Sequence, residues 1–334
     1  MSSEPASTDE LAADAVDLPH EDEAEGPEPV RWRLNLLMFV VTVVSVFYTG
    51  ALYDESVKRL PGLGGALRMM PHGWRFAVPL LAILLTHEFG HYFAARHHKV
   101  PASLPFFIPL PVLSPFGTMG AVIAMRGRIK SRDALLDIGA SGPLAGLVVA
   151  LPVLVYGLAT SPVHAVTGHG AQEGQSLLYL LLKRVVLGPM GPADDVFLNP
   201  VAFAGWTGLF VTALNLIPIG QLDGGHVAYA LFGLRQNRYA RWLHRGLLGM
   251  FAFNVVRFVG PILPHPDADA LAMAVGNSSF WLVWWGILHV MTRFGGRDHP
   301  PTNPGELSPA RRAVAALTLV LFVLLFMPAP LTQY

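Results

Sequence analysis

The stretch Val78-Pro-Leu-Leu-Ala-Ile-Leu-Leu85, followed by Thr86 and then His87-Glu88-Phe89-Gly90-His91, decides how this chain is read. An uncharged apolar run ends in two imidazoles and a carboxylate. On a helix, residues i and i+4 lie one turn above each other. His87 and His91 then share a face, and both reach one ion at the zinc-to-nitrogen distance of about 2.0–2.1 Å. Glu88 is offset around the helix, where a carboxylate takes a proton from an attacking water. The alternative is two core histidines and a surface glutamate. It is costly, because ionisable groups inside an apolar span are unfavourable unless paired, and such groups mark function.

The surrounding composition supports a membrane setting. Of 334 residues, 52% are hydrophobic and 14% charged, whereas a soluble domain carries about 25% charged residues. Ten of the 23 acidic residues fall before residue 31, and no Lys or Arg lies among them. Residues 1–30 therefore read as a disordered acidic cytosolic tail, and residues 31–334 as an integral membrane domain. Cysteine is absent, so a metal site must use His and carboxylates. No basic run with interleaved aromatics points to nucleic acid.

A span needs about 20 apolar residues. Seven stretches qualify: Leu34–Tyr53, Trp74–Arg96, Ala134–Leu158, Val196–Gln221, 242–263, 270–292 and Ala313–Leu331. The third holds Gly139-Ala-Ser-Gly-Pro-Leu-Ala-Gly146, a small-residue string that lets helices approach closely. Pro101–Met125 is apolar but carries five prolines, then Gly117 and Gly120, so it cannot be a helix. It reads as a loop leading to a short β-hairpin. Non-helical backbone at membrane depth requires protein or a hydrated cavity around it, which suits a re-entrant element against an active site. The expected fold is thus an all-α membrane protein, a polytopic bundle of about seven spans with a re-entrant β-hairpin. An N-inside arrangement puts 16 of the 23 Lys and Arg residues on the inner side, as the positive-inside rule requires. The expected location is a cell (inner) membrane, with a cytosolic N-terminus and an outer C-terminus.

Two histidines leave a zinc site one ligand short, since catalytic zinc keeps three protein ligands and an open position. The fourth span ends Asn215-Leu-Ile-Pro218-Ile-Gly-Gln-Leu-Asp223-Gly224-Gly225-His226. It runs in the same direction as the second span, so Asp223 lies level with His87 and His91. Asp223 is either the third ligand or a turn residue, because Asp-Gly-Gly is turn chemistry. His226 is either a group that orients a ligand or a polar interface residue. Asp133 and Asp137 read as caps of the third span. Leu178–Leu187 reads as a short amphipathic element.

His87-Glu-Phe-Gly-His91 together with Asn215-x-x-Pro-x-x-x-x-Asp223-Gly224 resembles the site-2 protease family of intramembrane metalloproteases. Gly117-Thr-Met-Gly120 and Gly142-Pro-Leu-Ala-Gly146 are similar to that family too. The resemblance covers roughly residues 75–230 and is nearest the compact bacterial and chloroplast branch. It implies one zinc ion per chain on His87, His91 and Asp223, with Glu88 as general base and acid. It implies that Asn215 lies beside the scissile peptide, and that the hairpin around Gly117–Met125 presents substrate as an extended strand. The implied partners are membrane-embedded protein substrates and the lipid bilayer. The loop Ala159–Asp195 is too short for a PDZ domain. Two rival readings remain, a membrane metal transporter and an inactive scaffold that binds membrane helices.

Overall fold

A computed structural model describes residues 32–54, 62–125, 129, 131–166, 170–265, 267–294, 296, 298–303 and 305–334. The acidic segment 1–30 lies outside the described residues.

Helix α1 (Trp32–Leu52) buries Thr42, Ser45 and Thr49 and exposes Leu36, Leu37, Val40 and Val44. This inverts the polarity of a water-soluble helix, as expected where lipid covers the outer face and small polar residues make the helix contacts. Its buried face holds a two-stranded antiparallel hairpin, β1 (Phe106–Pro109) and β2 (Thr118–Val122), in the register Phe107↔Ala121 and Ile108↔Gly120. Asn35 Nδ2 donates to the carbonyls of Leu104 and Pro105, and Ser45 Oγ to that of Gly117. A Cβ at Gly117, where φ is +74°, would lie 2.6 Å from Thr49 Oγ1. Only glycine fits there. The proline-rich stretch thus forms the expected hairpin, its turn spanning Leu110–Gly117 with β2 just beyond. β2 pairs with β1 alone among the described strands and runs beside α3.

Short α2 (Gly62–Met69) leads through a 3₁₀ turn, Met70–Gly73, into α3 (Trp74–His97). Helix α4 (Arg132–Ala159) starts at Ser131, whose side chain caps Ala134 N–H, and packs against α3. The contact is close because both sides are small. A Cβ at Gly90 would lie 2.7 Å from the carbonyl oxygen of Ser141. The connection onward forms β3 (Val163–Ala165), β4 (Ala171–Glu173), amphipathic α5 (Leu177–Leu187) and β5 (Asp194–Val196), with β3 paired to β5.

Helix α6 (Pro200–Asn215) has Asn199 as its cap and Pro200 at its first position, where a missing N–H costs nothing. It lies against α4 through Gly205 and Gly157, whose added Cβ atoms would lie 2.7 Å from Leu154 Cα and 2.3 Å from Ala202 Cα. Trp206 is fully buried and stacks on Phe203 and Phe210. Helices α7 (Asp223–Phe232), α8 (Arg235–Asn254), α9 (Ala268–Phe294) and α10 (Pro309–Leu325) follow, with a π-turn at Val255–Val259 after α8. Strand β6 (Leu331–Gln333) pairs back onto β4.

Among the described residues four helical stretches are long and apolar enough to cross a membrane: Trp32–Leu52, Gly62–His97, Arg132–Ala159 and Ala268–Phe294. The other expected spans fall short for identifiable reasons. α6 stops at 16 residues because Pro218 and Gly220 (φ +57°) break the helix after it. The first eleven of the 20 residues of α8 carry Arg235, Arg238, Arg241 and Arg245. α10 has 17 residues.

Candidate metal centre

The face of α3 that meets α4 and α7 carries His87 and His91, 3% and 7% exposed. Their Nε2 atoms are 3.1 Å apart. Asp223 Oδ2 lies 3.2 Å from His87 Nε2 and 3.3 Å from His91 Nε2. Two donors bound about 2.05 Å from one tetrahedral ion are about 3.3 Å apart. The three atoms therefore already stand at the corners of one face of a zinc coordination tetrahedron.

The hydrogen bonding agrees with that fit. His91 Nδ1 is 2.7 Å from the carbonyl oxygen of Ile138. A carbonyl only accepts, so Nδ1 carries the hydrogen, and Nε2 of the neutral ring presents a lone pair. That lone pair faces the His87 Nε2 atom and a carboxylate. Such convergence inside a protein calls for a cation. Among the described residues this is the one group of three His or acidic side chains close enough to hold a metal.

The glycines of α4 make the space. A Cβ at Gly142 would lie 2.1 Å from His91 Nε2, and one at Gly146 3.2 Å from His87 Nδ1. The turn before α7 is built similarly. A Cβ at Gly224 would lie 1.9 Å from the Leu216 carbonyl oxygen, and one at Gly225 2.3 Å from that of Gly220. The Asp-Gly-Gly sequence is therefore a helix start folded tightly onto the preceding turn. It puts Asp223 in the first turn of α7, where the helix dipole favours a negative charge.

Glu88 is buried, 5% exposed, on the same helix as the two histidines. Asn215 ends α6 with its Nδ2 3.3 Å from His87 Nε2. All five residues singled out in the sequence therefore belong to elements that meet at one place.

His226 does not join the three. Its Nδ1 is 2.8 Å from His299 Nε2. His299 Nδ1 donates to the Pro300 carbonyl, so His299 Nε2 accepts and His226 Nδ1 donates. His226 thus ties α7 to the segment before α10. The expectation that Asp133 and Asp137 cap α4 is corrected. Ser131 is the cap, while Asp137 accepts from Arg311 at 2.7 Å and pairs with His98 at 2.8 Å, and Asp133 pairs with Arg311. The aspartates join the start of α4 to α10 and to the end of α3. Sequence reading missed three contributors: the Ile138 carbonyl, the His299 partner, and the specific contacts of Gly142 and Gly146. The small-residue string was the one available signal, and it spoke only of helix packing.

Residues 75–255, more than half of the chain, match the profile of peptidase family M50. Over 237 residues, 65% of this chain, the sequence is 31% identical to a probable zinc metalloprotease EGY2, chloroplastic, of Oryza sativa subsp. indica, covering 43% of that protein. It is 36% identical over 163 residues to a probable zinc metalloprotease EGY1, chloroplastic, of Arabidopsis thaliana, covering 47% of this chain and 29% of that one. A match to a probable zinc metalloprotease EGY3, chloroplastic, of Oryza sativa subsp. indica extends over 310 residues, 85% of the chain and 44% of that protein, at 28% identity. The chain spans less than half the length of these curated relatives. The matched segment contains the histidine pair, the glycine string and the aspartate, and on its extent this chain belongs to peptidase family M50.

Proposed function

We propose that this chain is an intramembrane zinc metalloprotease that hydrolyses peptide bonds in or near the membrane segments of anchored proteins. The observation that carries the reading is the triangle of His87, His91 and Asp223 donors, at 3.1–3.3 Å from one another, with both histidines on the apolar helix that also bears Glu88 and the aspartate on α7. Zinc held by these three residues would polarise a peptide carbonyl and acidify a water beside it. Glu88 takes the proton from that water and hands it to the leaving amine. Asn215 donates an amide N–H toward the oxygen on which charge develops.

The hairpin supplies the substrate's conformation. A membrane helix hides its carbonyls in its own hydrogen bonds, so it must unwind before hydrolysis. β2, with no second strand beside it among the described residues, offers replacement hydrogen bonds to an unwound segment. We read the hairpin as re-entrant, and α6, α8 and α10 as completing a bundle of about seven spans. Neighbours cover α6 closely enough that its length need not match the bilayer. On that seven-span reading 16 of the 23 Lys and Arg residues fall on one side, which we assign to the cytosol of a cell with this protein in its inner membrane. Natural substrates in such a scheme are membrane-anchored regulators.

The test compares wild type with Glu88→Gln, in detergent, for zinc content and for cleavage of a model membrane-spanning substrate. The proposal expects about one zinc in each and cleavage by wild type alone. Intact function in the variant would favour metal transport, and absence of zinc from both would remove the proposal.

A further inference from the structure

Away from the metal centre, α8 and α9 form a basic cleft of about 410 Å³. Arg241, His244 and Arg245 recur at helical spacing on α8, and Trp285, His289 and Arg293 on α9. Successive residues three and four apart share a face, so two cationic faces meet. The rings form a wall: Trp285 stacks on His244 at 5.4 Å and on His289 at 5.2 Å between centroids. His244 Nε2 donates to the Trp285 carbonyl at 3.1 Å. Arg241 pairs with Asp298 at 3.0 Å. Among the described residues neither Arg245 nor Arg293 pairs with a carboxylate, so within that set these two arginines leave the cleft with unbalanced positive charge.

We propose that this cleft binds the phosphate headgroup of an anionic phospholipid. Its place in the fold selects a lipid. It opens at the end of α9, one of the stretches apolar enough to cross a membrane, and at the polar first half of α8, whose later residues are apolar. That is the level of the membrane–water interface, where indoles such as Trp242 and Trp285 concentrate. Exposed Leu282, three positions before Trp285 and on the same face of α9, continues from the cleft and gives an acyl chain an apolar contact. Guanidinium groups match phosphate oxygens in pairs, and basic pockets between membrane helices take anionic headgroups. Ile219 and Gly220 also line the cleft, so the headgroup rests against the turn that leads to Asp223.

The test is native mass spectrometry of the full-length protein after exchange between phosphatidylglycerol and phosphatidylcholine. Wild type should retain phosphatidylglycerol in preference. Each arginine near a charged membrane surface contributes roughly fivefold, so Arg241→Gln, Arg245→Gln and Arg293→Gln combined should weaken retention on the order of 100-fold. Arg235→Gln with Arg238→Gln, on the same helix but outside the cleft, should leave it unchanged. Unchanged zinc content and melting temperature in each variant show that folding is intact. Equal retention by wild type and the triple variant would overturn the proposal. So would equal loss in the Arg235 and Arg238 variant, which would indicate surface charge alone. Displacement of the lipid by excess inorganic phosphate would assign the cleft to a soluble anion instead.

Discussion

At the residue scale, the least expected dependence is on a missing side chain. The ring of His91 fills the space a Cβ would take at Gly142, 2.1 Å from its Nε2. His91 cannot swing aside freely, because its Nδ1 is fixed on the Ile138 carbonyl at 2.7 Å. Gly142→Ala should therefore displace a donor and weaken zinc binding roughly 10- to 100-fold, the range seen when groups supporting a metal ligand are altered. Competition against a graded chelator measures this, and unaltered affinity would show that α4 can retreat from α3. The residue scale was also where the sequence was most informative. The spacing of His87 and His91 fixes their common helix face, and the apolar run before them leaves little other use for the pair. Asp223 was harder, because its neighbours Gly224 and Gly225 spell a turn in isolation. They act here by letting α7 fold against the Leu216 and Gly220 carbonyls, a fact of tertiary packing that local preference does not contain.

At the element scale, the connection between α4 and α6 holds a buried charge cluster that the sequence did not disclose. Lys183 on α5 pairs with Asp195 on β5 and lies 3.6 Å from Glu173 on β4. Tyr179 donates to Glu173 at 2.8 Å. Burial pushes the Glu173 carboxyl above its usual range despite Lys183, while for Asp195 burial is the largest single influence but is outweighed jointly by hydrogen bonds from Lys183, the Val196 N–H and Gln172 and by the Lys183 charge, which lower it. Removing the shared cation strands two carboxylates. Lys183→Met should cost about 3 kcal/mol of stability, read from denaturation midpoints. A cost within experimental error would show that water reaches the cluster. These residues are spread over 23 positions from Glu173 to Asp195, and nothing in their spacing announces that three short elements bring them together. The amphipathic character of α5 was legible, since one face of an 11-residue helix is enough to reveal it. Its charged partners were not.

At the scale of the whole molecule, the segment before α10 is tied to α7 through His299. Burial holds the His299 imidazole below its ordinary range. The unfolded chain then takes up a proton that the folded chain refuses. Stability should be full above about pH 6.5 and fall as the pH drops below that value. Thermal unfolding against pH checks this, and His299→Gln should flatten the decline. Zinc removal should act on the same transition in a different way. A ligand at 1,000 times its Kd stabilises the folded state by about 4 kcal/mol, so chelation should lower the melting temperature of wild type and have little effect on His91→Ala. The bundle itself was foreseen from apolar run lengths. Those lengths said less about where helices end, because the limits of α6 come from Pro218 and Gly220, and α8 begins at Arg235, ahead of the apolar stretch from 242, with arginines inside the helix. Run length also carries no information on which helix lies beside which.

The donors also differ in birth order. His87 and Asp223 stand 136 positions apart in the chain, and a ribosome adding about 5–20 residues per second needs roughly 7–27 s to pass from one to the other. During that interval the nascent helix α3 holds its imidazoles and its glutamate without the aspartate. On the proposed function, a growing chain would thus be kept inert while its own unpacked segments, and those of its neighbours at the insertion site, are most open to attack. Activity would arrive only once Asp223 has been threaded and α7 has closed against α4.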